Sequence, residues 1–294
     1  MSRFLILGAS GQLGTELQAV FRGTGEVVAL DRSACDLSNP DSIRTVVRHV
    51  QPTVILNAAA YTAVDRAESE PELAMQINGE APGILAEEAG ALGALLVHYS
   101  TDYVFNGSSP TPWREDNPVD PLNTYGATKL AGERRIQQSG GRFLIFRTSW
   151  VFSPHGHNFL RTMLRLGQER EELKIVDDQL GAPTSALAIA TATHQILTTS
   201  PARDLARLSG IYHMTCAGET TWCGFAEAIF SRATAPKPWA AVRGIPSSDY
   251  PTPARRPANS VLSNQKLRAT FNIALPDWQS ALDTTLHALG IVRD

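Results

Sequence analysis

The sequence predicts an α/β fold: a doubly wound parallel sheet with helices on both faces and a smaller, interleaved α/β domain. Short apolar runs alternate with helical patterns through the first half, and those runs lack the strict polar alternation of a sheet with one wet face. After residue 148 the rhythm breaks into helical patterns joined by proline-rich loops. The 294 residues suffice for one large or two modest domains with a substantial core.

Taken in order, the first run, 3–7, leads directly into Gly8-Ala-Ser10-Gly11-Gln12-Leu13-Gly14 and a helical pattern over 12–22. Strand, glycines and helix in that succession suit a Rossmann-type dinucleotide site. Glycine permits the tight turn, and backbone N–H groups at the helix start meet a pyrophosphate at the positive end of the helix dipole. An ordinary glycine-rich turn is the alternative. The second run, 26–30, ends at Asp31, placed to accept hydrogen bonds from the adenosine ribose hydroxyls and so to favour NADH. Arg32 follows, and a guanidinium there can pair with the 2′-phosphate of NADPH, so both cofactors stay open. Asp36 and Leu37 are candidates to meet the adenine, with turn chemistry the competing role for Asp36.

The helix over 40–50 has Ser38-Asn39 as a cap and Pro40 in its first turn. The third run, 53–57, closes on Asn57-Ala58-Ala59-Ala60-Tyr61, whose small residues let a flat cofactor lie close to the sheet edge or simply ease helix packing. Pro71 opens a helical pattern over 70–91. The fourth run, 94–99, ends in Ser100-Thr101-Asp102, where a hydroxyl can hydrogen-bond a carbonyl oxygen as charge develops on it. A helix over 125–138 then carries Tyr125-Gly-Ala-Thr-Lys129 before the fifth run, 142–147. A spacing of four puts the phenol and the ammonium on one helix face, roughly 5–6 Å apart at Cβ. A cation there lowers the pKa of a phenol towards working pH. With six tyrosines and only four lysines in the chain, such a pair seldom arises by chance.

The second half shows helical patterns at 157–170, 185–198, 221–232 and 277–290, a strand at 211–214 and a proline-rich loop at 246–257. The expected division is a dinucleotide-binding domain over 1–148, with returns at about 184–214 and 258–270, and a mainly substrate-binding domain over 149–294.

Twenty-six basic and 29 acidic residues give a net charge of −3 without long blocks of one sign, which argues against nucleic acid or an acidic membrane as partner. No apolar run reaches the length of a signal or a membrane span, so a cytoplasmic protein is expected. Cys35, Cys216 and Cys223 lack metal spacing and read as reduced thiols. His155 and His157 offer too few ligands for zinc.

Gly8, Gly11 and Gly14, the hydroxyls at 100–101 and Tyr125-x-x-x-Lys129 together resemble the extended short-chain dehydrogenase/reductase superfamily. Longer strings narrow the resemblance: Asn57 to Glu68, His98 to Phe105, Tyr125 to Glu133, Phe146 to Phe152, Asp178 to Thr184 and Ala254 to Ser260 resemble the dTDP-4-dehydrorhamnose reductase family over nearly the whole chain. The resemblance implies NADPH- or NADH-dependent reduction of the C4 keto group of dTDP-4-dehydro-L-rhamnose, the last step of dTDP-L-rhamnose synthesis. Tyr125 would give the proton, Lys129 would hold the nicotinamide ribose, and Thr101 would orient the carbonyl. Asp102, Trp150, Asn158, Gln179, Arg255 and Arg256 would line the substrate side, the arginines facing the diphosphate. Some members are dimers that bind Mg2+ through glutamates. Glu16 matches one such position, but Leu187 stands at the second and has no oxygen to offer, which counts against the metal and leaves a monomer or homodimer.

Overall fold

The computed structural model describes residues 2–199 and 207–292, so residues 200–206 of the expected 184–214 return lie outside the described residues. Six strands form a sheet in which every pairing is parallel: β1 (Arg3–Leu7), β2 (Glu26–Leu30), β3 (Val54–Asn57), β4 (Leu95–Thr101), β5 (Arg142–Thr148) and a sixth, Gly210–His213. The sixth strand lies at one edge, followed across the sheet by β5, β4, β3, β1 and β2. The chain changes direction between β1 and β3, and the carboxyl ends of those strands flank the crevice where ligands of such sheets bind.

Strand β1 shows why the apolar runs are unbroken. Phe4 and Ile6 join a core with Leu13 and Leu17 of α1 (Gln12–Val20) and with Ile189 and Ile196 of the Ala186–Thr199 helix. Leu5 and Leu7 join a second core with Ile43 and Val47 of α2 (Pro40–Val50) and with Leu85 of the Ala81–Leu92 helix. Both phases of the strand are therefore apolar, each side chain contributing about 1.5–3 kcal/mol through burial. Helix α2 starts as its sequence foretells: the Asn39 side chain accepts from the N–H groups of Asp41 and Ser42, with Pro40 in the first turn.

The helical pattern at 70–91 is not one α-helix. It runs as Pro71–Met75, a π-helical turn at Gln76–Glu80, and Ala81–Leu92. Pro82 cannot donate to a carbonyl four residues back, and the widened turn absorbs that mismatch. The turn carries the fully buried Asn78, whose Oδ1 accepts from the Tyr61 N–H at 2.9 Å and whose Nδ2 donates to the Tyr61 carbonyl at 3.0 Å.

Beyond β5 the expected helices begin within two residues of their predicted starts: Phe159–Glu169, Ala186–Thr199, Trp222–Arg232 and Trp278–Ala288. Three small strand pairs carried no sequence signal: Val151–Phe152 with Thr184–Ser185, Glu172–Val176 with Ala241–Ile245, and Leu180–Gly181 with Thr220–Thr221. Phe152, Leu160, Met163, Leu173, Phe225 and Trp278 extend the first core into this region, so both halves share one apolar interior.

Candidate active site

Alternation along β4 builds the site. His98 and Ser100, two residues apart, face the Thr124–Gln138 helix, where Lys129 and Glu133 lie four apart on one face. Lys129 Nζ lies 3.2 Å from His98 Nε2 and donates to the Tyr99 carbonyl at 2.6 Å. On the far side of the imidazole, Asn57 Nδ2 is 3.1 Å from His98 Nδ1. Ser100 Oγ donates to Glu133 Oε1 at 2.5 Å, and Arg147, the β5 residue in register with Ser100, binds both Glu133 oxygens at 2.9 and 2.6 Å. A row of polar groups thus crosses the carboxyl end of the sheet beneath one helix. Of this row the sequence reading assigned roles only to Lys129 and, as one of two candidate hydroxyls, Ser100, which is instead bound to Glu133. The signal for the rest was the pairing of strand spacing two with helix spacing four.

Tyr125 begins that helix, partly buried, where Asn123 supplies the cap by accepting from the Gly126 N–H at 2.8 Å. Its ring meets Tyr103 edge-on at 5.9 Å. The expectation that Lys129 lowers the Tyr125 pKa is corrected here. Burial pushes the phenol well above its ordinary value, the nearby Asp102 carboxylate adds to that, and only the Thr101 hydroxyl pulls it down. The cation is engaged with His98 and Tyr99 instead. Burial brings Lys129 itself down to about 8, Glu133 opposing, and burial beside Lys129 holds His98 well below its usual range, hence neutral. In this structure the tyrosine is a firmly protonated acid.

The glycine turn is a cradle open to an anion. Gly8 has φ +80°, and a Cβ on it would lie 2.8 Å from the Ala59 nitrogen. A Cβ on Gly14 would sit 2.0 Å from the Gly8 carbonyl oxygen, so the turn and helix close together only with glycine there. Gly11 caps α1 without a side chain, leaving the first helical N–H groups free of a capping oxygen. Ser10 is exposed at this mouth, Leu13 is buried beneath it, and Gln12 Oε1 accepts from Asn158 Nδ2 at 2.9 Å and Ser153 Oγ at 3.2 Å. Gly14→Ala is expected to destabilise the fold by about 1–3 kcal/mol through overpacking and to weaken dinucleotide binding. A thermal melt and a cofactor titration check both.

At the end of β2, Asp31 Oδ1 accepts from the Ser33 N–H and hydroxyl, and these bonds, the hydroxyl's first, hold it below the usual carboxylate range. Asp36 does turn work as well, accepting from the Ser38 N–H at 3.0 Å and hydroxyl at 2.8 Å. Arg32 is mostly exposed, with only a 3.8 Å approach to Asp36. Leu37 is buried. Ala58, Ala59, Ala60 and Tyr61 form a partly exposed strip after β3, with the Tyr61 hydroxyl donating to Glu70 at 2.5 Å.

On the expected substrate side, Trp150 has φ +47° and stacks on Trp222, ring centroids 3.6 Å apart. Gly181 lies against the same indole, where a Cβ would come within 2.4 Å of it. Gln179 accepts from the Trp222 indole N–H at 3.2 Å and donates to Ser247 at 3.0 Å. Asn158 is spent on structure: its Oδ1 caps the Phe159–Glu169 helix and its Nδ2 braces Gln12, Ser153 and His155. Arg256 pairs with Asp65 at 2.8 Å, whereas Arg255 is exposed. A cavity of 720 Å³ is lined by Phe159, Met163, Gln179, Trp222, Tyr250 and Arg256. Thr101 and Tyr125 are not in its wall. The link is Arg256, whose charge acts on Tyr103, the ring beside Tyr125.

All three cysteines are free and buried, and burial pushes their thiols up to about 11, 12 and 11 for Cys35, Cys216 and Cys223. Glu16 Oε1 lies 3.5 Å from His155 Nε2, and burial raises its pKa against the pull of that imidazole. Among the described residues no group of three or more His, Cys, Asp or Glu could hold a metal, and no helix is long and apolar enough to cross a membrane.

A parallel sheet with an open glycine turn, a threonine closing β4 and a Tyr-x-x-x-Lys helix beside it defines an extended short-chain dehydrogenase/reductase. Residues 2–291 match the family of the RmlD substrate binding domain. The chain is 50% identical over 294 residues to the dTDP-4-dehydrorhamnose reductase of Burkholderia thailandensis, covering 98% of this chain and 99% of that one. It is 44% identical to the Escherichia coli K12 enzyme of the same name, with 97% of each covered. A crystal structure of the Bacillus anthracis dTDP-4-dehydrorhamnose reductase in complex with NADP superposes with a TM-score of 0.91 at 34% identity, covering 98% of this chain and 100% of that one. The chain belongs to the dTDP-4-dehydrorhamnose reductase family.

Proposed function

We propose that the protein reduces the C4 keto group of dTDP-4-dehydro-L-rhamnose to give dTDP-L-rhamnose, with NADPH or NADH as reductant, in the cytoplasm and as a monomer or homodimer. The observation that carries the reading is the placement of the helix bearing Tyr125 and Lys129 against β4, which Thr101 ends, at the carboxyl end of the sheet that also bears the open glycine turn. The turn from Gly8 to Gly14 fits a pyrophosphate, because its glycines let it close against Ala59 and α1 while the start of α1 carries no capping side chain. Ala58 to Tyr61 would flank the nicotinamide side, and Asp31, Arg32, Asp36 and Leu37 the adenosine side. Bound there, the reduced cofactor supplies hydride. The chain's own residues do the rest. Thr101 would orient the carbonyl, Tyr125 would deliver its proton to the sugar oxygen, and Lys129 would hold the nicotinamide ribose.

Asp102, Trp150, Gln179 and Arg256 would recognise the sugar nucleotide, Arg256 offering its guanidinium at the cavity wall. Arg255 would reach the diphosphate from the exposed side of its loop, and Asn158 would act through the loop it braces.

Purified protein given the 4-keto sugar nucleotide, generated in situ, should oxidise NADPH or NADH, followed by loss of the reduced-cofactor absorbance. Silence with both cofactors rejects the reading. Arg32 bears on the choice of cofactor. A hydrogen bond to a charged group contributes about 1.5–3 kcal/mol, so Arg32→Ala should raise KM for NADPH roughly 10- to 100-fold and leave NADH nearly unchanged. Parallel initial-rate series with the two cofactors measure this.

A further inference from the structure

Asn57 ends β3 in register with His98 of β4, and the two begin a hydrogen-bonded chain that has a direction. The Ala59 N–H donates to Asn57 Oδ1 at 3.3 Å, which turns the amide nitrogen of Asn57 towards His98 Nδ1, 3.1 Å away. An amide nitrogen only donates, so Nδ1 accepts and the neutral imidazole carries its one hydrogen on Nε2. That hydrogen faces Lys129 Nζ at 3.2 Å. Asn57 and Lys129 are 1% exposed and His98 is fully enclosed, so solvent does not relax the arrangement. An ammonium has three donors and no acceptor and meets the imidazole hydrogen donor against donor, whereas the amine offers it a lone pair. Either form donates to the Tyr99 carbonyl at 2.6 Å.

We propose that Asn57 and His98 are positioning residues that set the charge of Lys129, their fixed polarity weighting it towards the amine in the free enzyme and the bound cofactor weighting it towards the ammonium. This rests on the reading of Lys129 as the residue that holds the nicotinamide ribose. A ribose hydroxyl accepts from the ammonium, so cofactor binding draws a proton from solvent onto the Nζ lone pair, and release returns it. A proton that strengthens cofactor binding is itself held more tightly, by the same factor, once the cofactor is in place.

Burial works in the same sense as the chain, bringing Lys129 down to about 8 with Glu133 opposing. His98 is neutral because its own burial beside Lys129 holds it well below its usual range. The other charges on the elements packed around the lysine are engaged or turned away. Glu133, on its own helix, binds Arg147 of β5. Glu80 of the π-helical turn lies 3.8 Å from Arg135, Glu88 of the Ala81–Leu92 helix is bound by Arg48, Asp65 of the Val64–Ala67 helix by Arg256, and Glu72 is exposed. Tyr99, Tyr103 and Tyr125 are all pushed up by burial. Asp102, which burial pushes up to about 7, ionises close to the lysine's range, so the lysine is read by its own signal rather than by turnover.

Four lysines make that reading direct. Carbon-13 at lysine Cε gives four NMR signals, and Lys129→Arg identifies the one that disappears. In the free wild type it should titrate with a midpoint at about 8. Saturation with NADH, which has no 2′-phosphate to ionise, should carry the midpoint up by about one pH unit, and the Kd for NADH should rise about 10-fold between the two midpoints and beyond. A midpoint that NADH leaves in place overturns the proposal. His98→Phe removes the opposing hydrogen and should move the free midpoint up; a purely structural histidine leaves it unchanged and an accepting one lets it fall, and either result overturns the proposal. Should that variant fold poorly, the wild type decides: nitrogen–hydrogen coupling in the imidazole should place the His98 hydrogen on Nε2, and a hydrogen on Nδ1 overturns the chain. A protein that oxidises neither cofactor refutes the reductase reading instead, on which the lysine and imidazole signals of the free protein do not depend.

Discussion

Tyr125→Phe should bind dinucleotide as the wild type does and lose about 10²–10⁴-fold in kcat, the range that a positioned acid contributes. The substitution removes one hydroxyl from a ring already seated edge-on against Tyr103, so packing is conserved. What goes is the phenolic proton at the helix start, on which Thr101 acts. Because burial and Asp102 keep the phenol protonated, the loss should appear across the whole neutral range rather than at one end of it. Cofactor titration together with initial rates measures the split. Turnover within a few-fold of wild type would exclude Tyr125 as the acid.

Glu133→Ala should be the most destabilising substitution at the site, costing about 3–5 kcal/mol, the cost of removing one partner from a buried ion pair. Glu133 is fully buried and Arg147 is 2% exposed, and the carboxylate takes both guanidinium contacts and the Ser100 hydroxyl. Its loss strands a cation whose Nη1 already lacks a partner. Denaturant unfolding should show a lower midpoint, and kcat should fall as well, because Ser100 precedes Thr101 on the same strand. Pairing Glu133→Leu with Arg147→Met should recover most of the stability, since no unpaired charge remains. A double variant no more stable than Glu133→Ala would contradict this account.

What the sequence disclosed here followed the range of the interaction. The glycine turn, the Asn39-Pro40 helix start and the five apolar runs are local features, and each lies where its residues say. The Tyr125–Lys129 spacing was read correctly as one helix face. The partner of the lysine was not, because His98 and the Tyr99 carbonyl sit 31 and 30 residues away. Asn158 illustrates the same gap: its chemistry suits a ligand contact, yet its Oδ1 serves as a cap and its Nδ2 reaches Gln12, 146 residues distant. The stack of Trp150 on Trp222 and the two-residue strand pairs have no periodicity to read. They exist only once the sheet has brought their loops together.

The sixth strand, Gly210–His213, has a consequence for how such a reductase could change its diet. The described residues between Thr148 and Gly210 lie outside the sheet, between β5 and the strand hydrogen-bonded beside it. Trp150 and Gln179 travel on that excursion, while Thr101, Tyr125 and Lys129 do not. Closure entropy grows only logarithmically with the length of such a loop. Selection can therefore lengthen or trim the loops that carry Trp150 and Gln179 while Thr101, Tyr125 and Lys129 keep their places, a modular tool head on a fixed handle.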